Sequence, residues 1–267
     1  MARHPYRRLR SARFALPEVG ISEHGNIRSL HLGSETVQSS MNVDYPAELV
    51  LSYSRAMMAW LLFAENVRHI TQIGLGGGSF VRWIDAHLPE VAQTAVEINP
   101  QVIQIARASF CLDFEGDAFQ IIEADGAEYI QILRGNTDVV LVDGFDGVQI
   151  IDELVAEPFF HDCRMALSEK GIFAANWWSG DKRYSLFLQR LRTIFDNRVL
   201  EVPATTHGNV AVLAFCSEPE LNIEKLKKRA DKLGKRYGLD FFRMLMDAKG
   251  RNLHNQKQFL WRKGQGA

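Results

Sequence analysis

Cysteine is scarce in this chain, with three residues, Cys111, Cys163 and Cys216, among 267. An odd number without C-x-x-C spacing suggests neither a disulfide framework nor a zinc site, and the three read as reduced core thiols. Long apolar runs are missing too. Nowhere do about 18 apolar residues stand together, so no membrane-spanning helix is expected. The arginine-rich stretch from Met1 to Arg13 is not followed by the uninterrupted apolar segment of a secretory signal. These absences point to a soluble, cytoplasmic protein. No internal repeat or low-complexity tract is present. Charge of one sign is also lacking, with 31 Lys and Arg against 32 Asp and Glu, but its distribution is uneven. From Glu218 to Ala267 there are 13 basic and 6 acidic residues, so a basic end offsets an acidic body. An acidic body suits a cationic ligand better than nucleic acid.

The hydrophobic content, 46%, is enough to bury the core of one large α/β domain with small appendages. Residues 13–45 alternate short apolar and polar groups punctuated by Gly20, Gly25 and Gly33. That pattern reads as a small antiparallel sheet, with Leu30–Leu32 and Thr36–Gln38 as paired strands. From Ala47 to about Asn66 the apolar spacing turns helical. A strand and helix alternation follows. Strands are expected at Ile70–Ile73, Thr94–Ile98, Gln120–Glu123 and Val139–Val142, with helices at Phe80–His87, Pro100–Phe110 and Ala127–Leu133. A helix at Glu157–Leu167, a strand at Ile172–Asn176, a helix at Tyr184–Phe195 and an edge hairpin near Val199–Val202 and Val210–Phe215 complete the series. This is a doubly wound, mainly parallel sheet. The domain boundaries expected are 1–46 for a β-strand region, 47–217 for the Rossmann-like nucleoside-binding and catalytic domain, and 218–267 for a basic helical tail. In that tail Ile223, Leu226, Ala230, Leu233 and Tyr237 fall three and four apart, with lysines and an arginine between them, as on an amphipathic helix. Such a helix either docks with its charged face in solvent or contacts nucleic acid or an anionic surface.

The chemistry is concentrated at strand ends. Gly74, Gly76 and Gly78 make a turn over which a ligand can lie against backbone and a helix N-terminus. Glu97 ends the next strand, where a carboxylate can accept both hydroxyls of a ribose. Asp125-Gly126 ends the third strand and can meet an adenine amine. Asp143-Gly144-Phe145-Asp146 ends the fourth, and two carboxylates three apart on such a loop make a negative pocket that can bind an ammonium group and take its proton. Taken singly, Asp125 and Asp143 also read as cap or turn residues. His161, Asp162 and Cys163 point in different directions on a helix, so they make neither a metal site nor a catalytic pair.

Together with Val37-Gln38, Val96-Glu97-Ile98-Asn99-Pro100, Val142 to Gly147 and Pro158-Phe159-Phe160, these motifs make the chain, from about Leu30 to Phe215, resemble the polyamine aminopropyltransferase (spermidine synthase) family. The resemblance implies a Rossmann-like doubly wound sheet of the class I methyltransferase type, with a small N-terminal β domain and a C-terminal basic helical extension. It further implies a homodimer or homotetramer, no metal, and transfer of an aminopropyl group from decarboxylated S-adenosylmethionine to an amine such as putrescine. Carried over residue by residue, it makes Asp143 the base, with Glu97 on the ribose, Asp125 and Gly126 at the adenine, and Gln38 with Gly74, Gly76 and Gly78 around the donor. Asp146, Tyr53 and Asn176 face the acceptor.

Four positions depart from the family pattern. Gly77 stands where an aspartate would meet the donor amine, and Arg55 replaces the acidic partner that follows Tyr53. Thr205 replaces a tyrosine in a late loop, where His207 is a second candidate for acceptor contact, and Asn176 replaces a strand-end glutamine. Trp177 and Trp178 beside it either line an acceptor pocket by cation–π contact or pack in the core. Two other readings therefore stand open. One is a methyltransferase using intact S-adenosylmethionine, with Arg55 turned inward to pair with the donor carboxylate. The other is a non-catalytic nucleoside- or polyamine-binding protein.

Overall fold

The computed structural model describes residues 16–112, 116, 118–145, 150–206 and 208–262. Three strands, β1 (Val19–His24), β2 (Ile27–Leu32) and β3 (Val37–Asn42), form an antiparallel meander, with a bulge between Leu30 and His31. The sequence pattern located the second and third strands. It passed over β1, whose residues are nearly all exposed and carry no apolar stripe.

Seven strands build the second sheet: β4 (His69–Ile73), β5 (Ala92–Glu97), β6 (Phe119–Glu123), β7 (Thr137–Val142), β8 (Leu167–Trp178), β9 (Val199–Pro203) and β10 (Asn209–Phe215). Their order is β6-β5-β4-β7-β8-β10-β9. The first five are parallel neighbours, and β10 runs antiparallel between β8 and β9. The chain moves outward from β4 through β5 to β6, then returns to β4's other side with β7. That reversal opens a crevice at the carboxyl ends of β4 and β7.

Strand periodicity splits the core into two layers. Val139 and Leu141, with Ile172, Ala174, Ala211 and Leu213, face one layer. Val140 and Val142, with Phe173, Ala175, Val210 and Val212, face the other. The second layer is closed by α5 (Glu157–Ala166) and α6 (Tyr184–Ile194), where Phe160, Trp177 and Phe187 meet. Trp177 is therefore a core residue at 1% exposed, while Trp178 is half exposed.

The first layer is covered by α1 (Ser52–Met57), a 3₁₀ turn Met58–Leu62 and α2 (Ser79–His87), and then by the end of the chain. A single long helix over 47–66 is not what forms. Met57 to Leu62 are buried without a break, so packing on every side, and not a one-sided stripe, sets their winding. In the tail, α7 (Ile223–Tyr237) starts at the cap Asn222 and stops at left-handed Gly238. It docks by Ile223, Leu226, Ala230 and Tyr237, and its lysines face solvent. Arg229 reaches back to the carbonyls of Leu61 (3.0 Å) and Ala64. A further helix, α8 (Phe241–Arg251), packs against β9, and Asn252 after it exchanges hydrogen bonds with the Glu201 backbone (2.9 and 2.7 Å). Glu201, 4% exposed, accepts from the Tyr184 hydroxyl (2.8 Å), Arg192 (3.1 Å) and Arg251 (3.0 Å), which matches its buried charge with two guanidinium groups. Among the described residues no helix is long and apolar enough to cross a membrane.

Candidate active site

The crevice holds a cavity of about 860 Å³ lined by strand ends and the loops that follow them. Gly74 and Gly76 form its floor with positive φ angles of 86° and 53°. A Cβ at Gly74 would run into the Asp143 carbonyl, so only glycine lets the loops after β4 and β7 lie this close. The pairing continues past the strands, with the Asp143 N–H donating to the Ile73 carbonyl at 3.0 Å. Gly126 also lines the cavity, against Ile73. Gly78 does not. It caps α2 at a φ of 73° and packs on Leu112, so it shapes the loop from behind.

Glu97 is held at the end of β5 by backbone. Its Oε2 accepts from the Leu75 N–H and its Oε1 from the Asn99 N–H, both at 2.9 Å. Burial pushes its carboxyl up from the ordinary value against backbone hydrogen bonds from Leu75, Asn99, Gly76 and Ile98, and the residue lines the cavity. Asn99 then caps α3 (Pro100–Ser109) by accepting from Gln101 N–H. Asp125 is both cap and wall. Its Oδ1 accepts from Ala127 (2.8 Å) and Glu128 (3.4 Å) at the start of α4 (Gly126–Ile130), and the residue lines the cavity.

Asp143 faces the cavity from the loop after β7. Burial raises its carboxyl above the ordinary value, against a hydrogen bond from Asn176 and the neighbouring Tyr53 hydroxyl, which favour the charged form. The Asn176 Nδ2 donates to Asp143 Oδ1 at 3.0 Å. Tyr53, on α1, donates to the Gln38 carbonyl at 2.9 Å and lies beside Asp143; burial first, then the Asp143 charge, lifts its phenol well above the usual range. Gln38 and Tyr53 both line the cavity, whereas Asn176 is 4% exposed and stands behind Asp143 as its support. Asp146 and His207 lie outside the described residues. Thr205 is exposed and does not line the cavity, and His161 is exposed on α5.

Sequence reasoning missed several neighbours. Ser39 and Ser79 line the glycine-loop end, with their hydroxyls 3.2 Å apart. Ser79 directly follows the last loop glycine, which was a usable signal. Glu128, Asp152 and Glu153 also line the cavity, the last two from a 3₁₀ turn, Asp152–Val155, in a stretch with no strand or helix pattern. Among the described residues six carboxylates, from Glu97, Asp125, Glu128, Asp143, Asp152 and Glu153, line the cavity. No lysine or arginine joins them among the described lining residues, although Asp152 pairs with Arg183 outside. Among the described residues no group of His, Cys, Asp and Glu is placed to hold a metal ion.

A model of the spermine/spermidine synthase domain matches residues 51–217, which span the sheet and every cavity wall except the N-terminal one. The chain belongs to the spermine/spermidine synthase family. A relative from Neisseria meningitidis called polyamine aminopropyltransferase is 70% identical over 261 residues, covering 97% of this chain and 99% of the relative. Another of the same name from Chromobacterium violaceum is 62% identical over 240 residues, covering 89% and 92%. In fold, the chain is similar to a probable spermidine synthase from Corynebacterium glutamicum, with a TM-score of 0.66 at 16% identity over 92% of this chain and 95% of that one.

Family membership makes the departures informative, because the structure shows what stands in their place. A Cβ at Gly77 would lie 2.8 Å from Phe110 Cδ1 and 2.9 Å from Ser39 Oγ. Phe110 is fully buried, and Arg82 closes the region from behind, donating to the carbonyls of Gly77, Phe110 (2.7 Å) and Pro46 (2.7 Å). The loop aspartate that the family resemblance implies has no room here. Gly77→Asp is expected to cost about 1–3 kcal/mol of stability by overpacking, read from the midpoint of urea unfolding; an unchanged midpoint would mean that Phe110 yields freely. Arg55 donates to the carbonyls of Leu49 (2.7 Å) and Val50 (2.8 Å) and is not part of the cavity wall. It does not turn inward.

Proposed function

We propose that this protein is a polyamine aminopropyltransferase that moves an aminopropyl group from decarboxylated S-adenosylmethionine to an amine such as putrescine, releasing methylthioadenosine. The observation that carries this reading is the cavity wall of six carboxylates without a cationic side chain among its described residues. Both substrates are cations. The donor has a sulfonium and an ammonium group but no carboxylate, and the acceptor is a diammonium ion. Intact S-adenosylmethionine would bring a carboxylate into the same wall with Arg55 turned away, which disfavours methyl transfer.

In this reading the nucleoside lies over Gly74 and Gly76, with Glu97 at the ribose hydroxyls and Gln38 and Asp125 alongside. The acceptor enters as an ammonium ion, which has no lone pair. Asp143 takes one proton, and the freed pair attacks the methylene carbon bonded to sulfur. The carbon–sulfur bond breaks, its electrons return to sulfur, and a neutral thioether leaves. A base with a raised carboxyl suits this transfer better than an ordinary exposed aspartate, and positioning of the two substrates supplies much of the remaining rate. Asp146, three residues on, is assigned to the acceptor's ammonium groups. The enzyme works in the cytoplasm as a homodimer or homotetramer.

Calorimetric titration tests the donor assignment. Decarboxylated S-adenosylmethionine is expected to bind at least about tenfold more tightly than the intact molecule. The opposite preference would replace aminopropyl transfer by methyl transfer.

A further inference from the structure

Asn209 opens β10 at the rim of the site, where its register partner on β8 is Trp178, and Asn176 pairs with Ala211 two residues further on. Its Nδ2 donates to Asn176 Oδ1 at 3.0 Å, and Asn176 Nδ2 donates to Asp143 Oδ1 at 3.0 Å. The direction of this relay is dictated by its end. A carboxylate only accepts, so Asn176 must turn its NH₂ toward Asp143, which leaves its carbonyl oxygen facing Asn209. Asn176 is 4% exposed, so water does not readily replace a missing partner. Without a donor at position 209, the Asn176 oxygen would be buried and unpaired. A half-turn of the amide would then set that oxygen against Asp143 Oδ1, lone pair facing lone pair.

We propose that Asn209 is a positioning residue of this site: it locks the Asn176 amide in the one orientation that donates to Asp143, and so holds the Asp143 carboxylate toward the cavity. Its catalytic meaning rests on the reading of Asp143 as the base. The other titratable group close to Asp143 is Tyr53, from α1; β4 and the glycine loop bring only backbone to it. Glu97, Asp125, Glu128, Asp152 and Glu153 line the same cavity. None of these bonds to Asn176, so the relay is a separate lever on Asp143.

Asn209→Asp puts an acceptor where the relay needs a donor. Asn176 must then turn its NH₂ outward and its oxygen toward Asp143, which disfavours the charged carboxylate. The acid limb of kcat/KM is expected to move to higher pH, with a loss of about tenfold at a pH on that limb, while donor KM stays unchanged. A second readout does not need turnover. In ¹³C NMR of aspartate-labelled protein, with the Asp143 signal assigned by its loss in Asp143→Asn, the carboxyl titration should move up in Asn209→Asp. A moved titration in an enzyme inactive with either donor keeps the relay and sinks the aminopropyl reading. An unmoved titration in a folded variant overturns the relay, whatever the activity. Should Asn209→Asp fail to fold, Asn209→Ala at this half-buried strand start carries the test: a smaller upward movement is expected, and none would overturn the proposal.

Discussion

Asp143→Asn should lower turnover by about two to four orders of magnitude, the range a positioned general base supplies, and leave donor affinity within a few-fold. The reason for the split is geometric. In the proposed reaction the donor's nucleoside lies on the glycine loop and Glu97, while Asp143 meets the proton of the other substrate. An asparagine at 143 can still accept from Asn176 through its oxygen, so the support behind it stays in place. In the parent enzyme activity should fall with acid, with a midpoint above the ordinary carboxylate value, because burial raises Asp143. Stability has the opposite sign. A carboxyl raised in the folded state favours folding fully below its unfolded pKa and loses that contribution as pH rises through the folded value. At neutral pH the charged Asp143 therefore works against the fold, and the asparagine variant should melt at or above the parent. Single-turnover kinetics, calorimetry and a melting curve read the three parts; undiminished turnover would remove Asp143 as the base.

Removing everything after Pro219 should abolish cooperative folding. Ile223, Leu226, Phe241, Leu245 and Phe259 are each at most 1% exposed, in the layer that holds Trp60, Trp83 and Phe215. Burial of a large apolar side chain is worth roughly 1.5–3 kcal/mol, and five of them together rival the roughly 5–15 kcal/mol that separates a folded domain from its unfolded chain. The deletion also strips Arg251 and Asn252 from Glu201, leaving a buried carboxylate with Arg192 as its remaining cationic partner. A truncated chain that runs as a compact monomer and melts cooperatively would show that the tail is an appendage after all.

These residues also mark where the sequence was legible. Val139 to Val142 announced a central strand because four apolar residues between polar neighbours suit a segment buried on both faces. Gly74, Glu97, Asp125 and Asp143 announced the crevice because each ends a strand, and the sheet brings strand ends together whatever their distance along the chain. The supports were harder to read. Asn209 acts from an antiparallel edge hairpin, and only the register of β10 on β8 brings it to Asn176. Arg55 and Gly77 could be flagged by spacing, but whether an arginine points inward, or a glycine leaves free space, depends on Phe110, Ser39 and the Leu49 carbonyl. The basic tail read as an amphipathic helix from its own periodicity, although its apolar stripe could not say that it faced Trp83 and Trp60.

The pairing of the last helices with the earliest part of the large sheet has a consequence during synthesis. The Tyr237 ring packs tilted against Trp83, and Arg229 holds the carbonyl of Leu61, about 170 residues back along the chain, as contacts of high sequence separation. A ribosome that has made the glycine loop and strands β4 and β7 still presents one face of the sheet covered only in part, by α1, the 3₁₀ turn and α2. That face closes only when Phe259 leaves the exit tunnel, so the nascent chain cannot mature piece by piece. It must be kept from aggregating until that segment has emerged, and contacts of such long sequence separation slow folding.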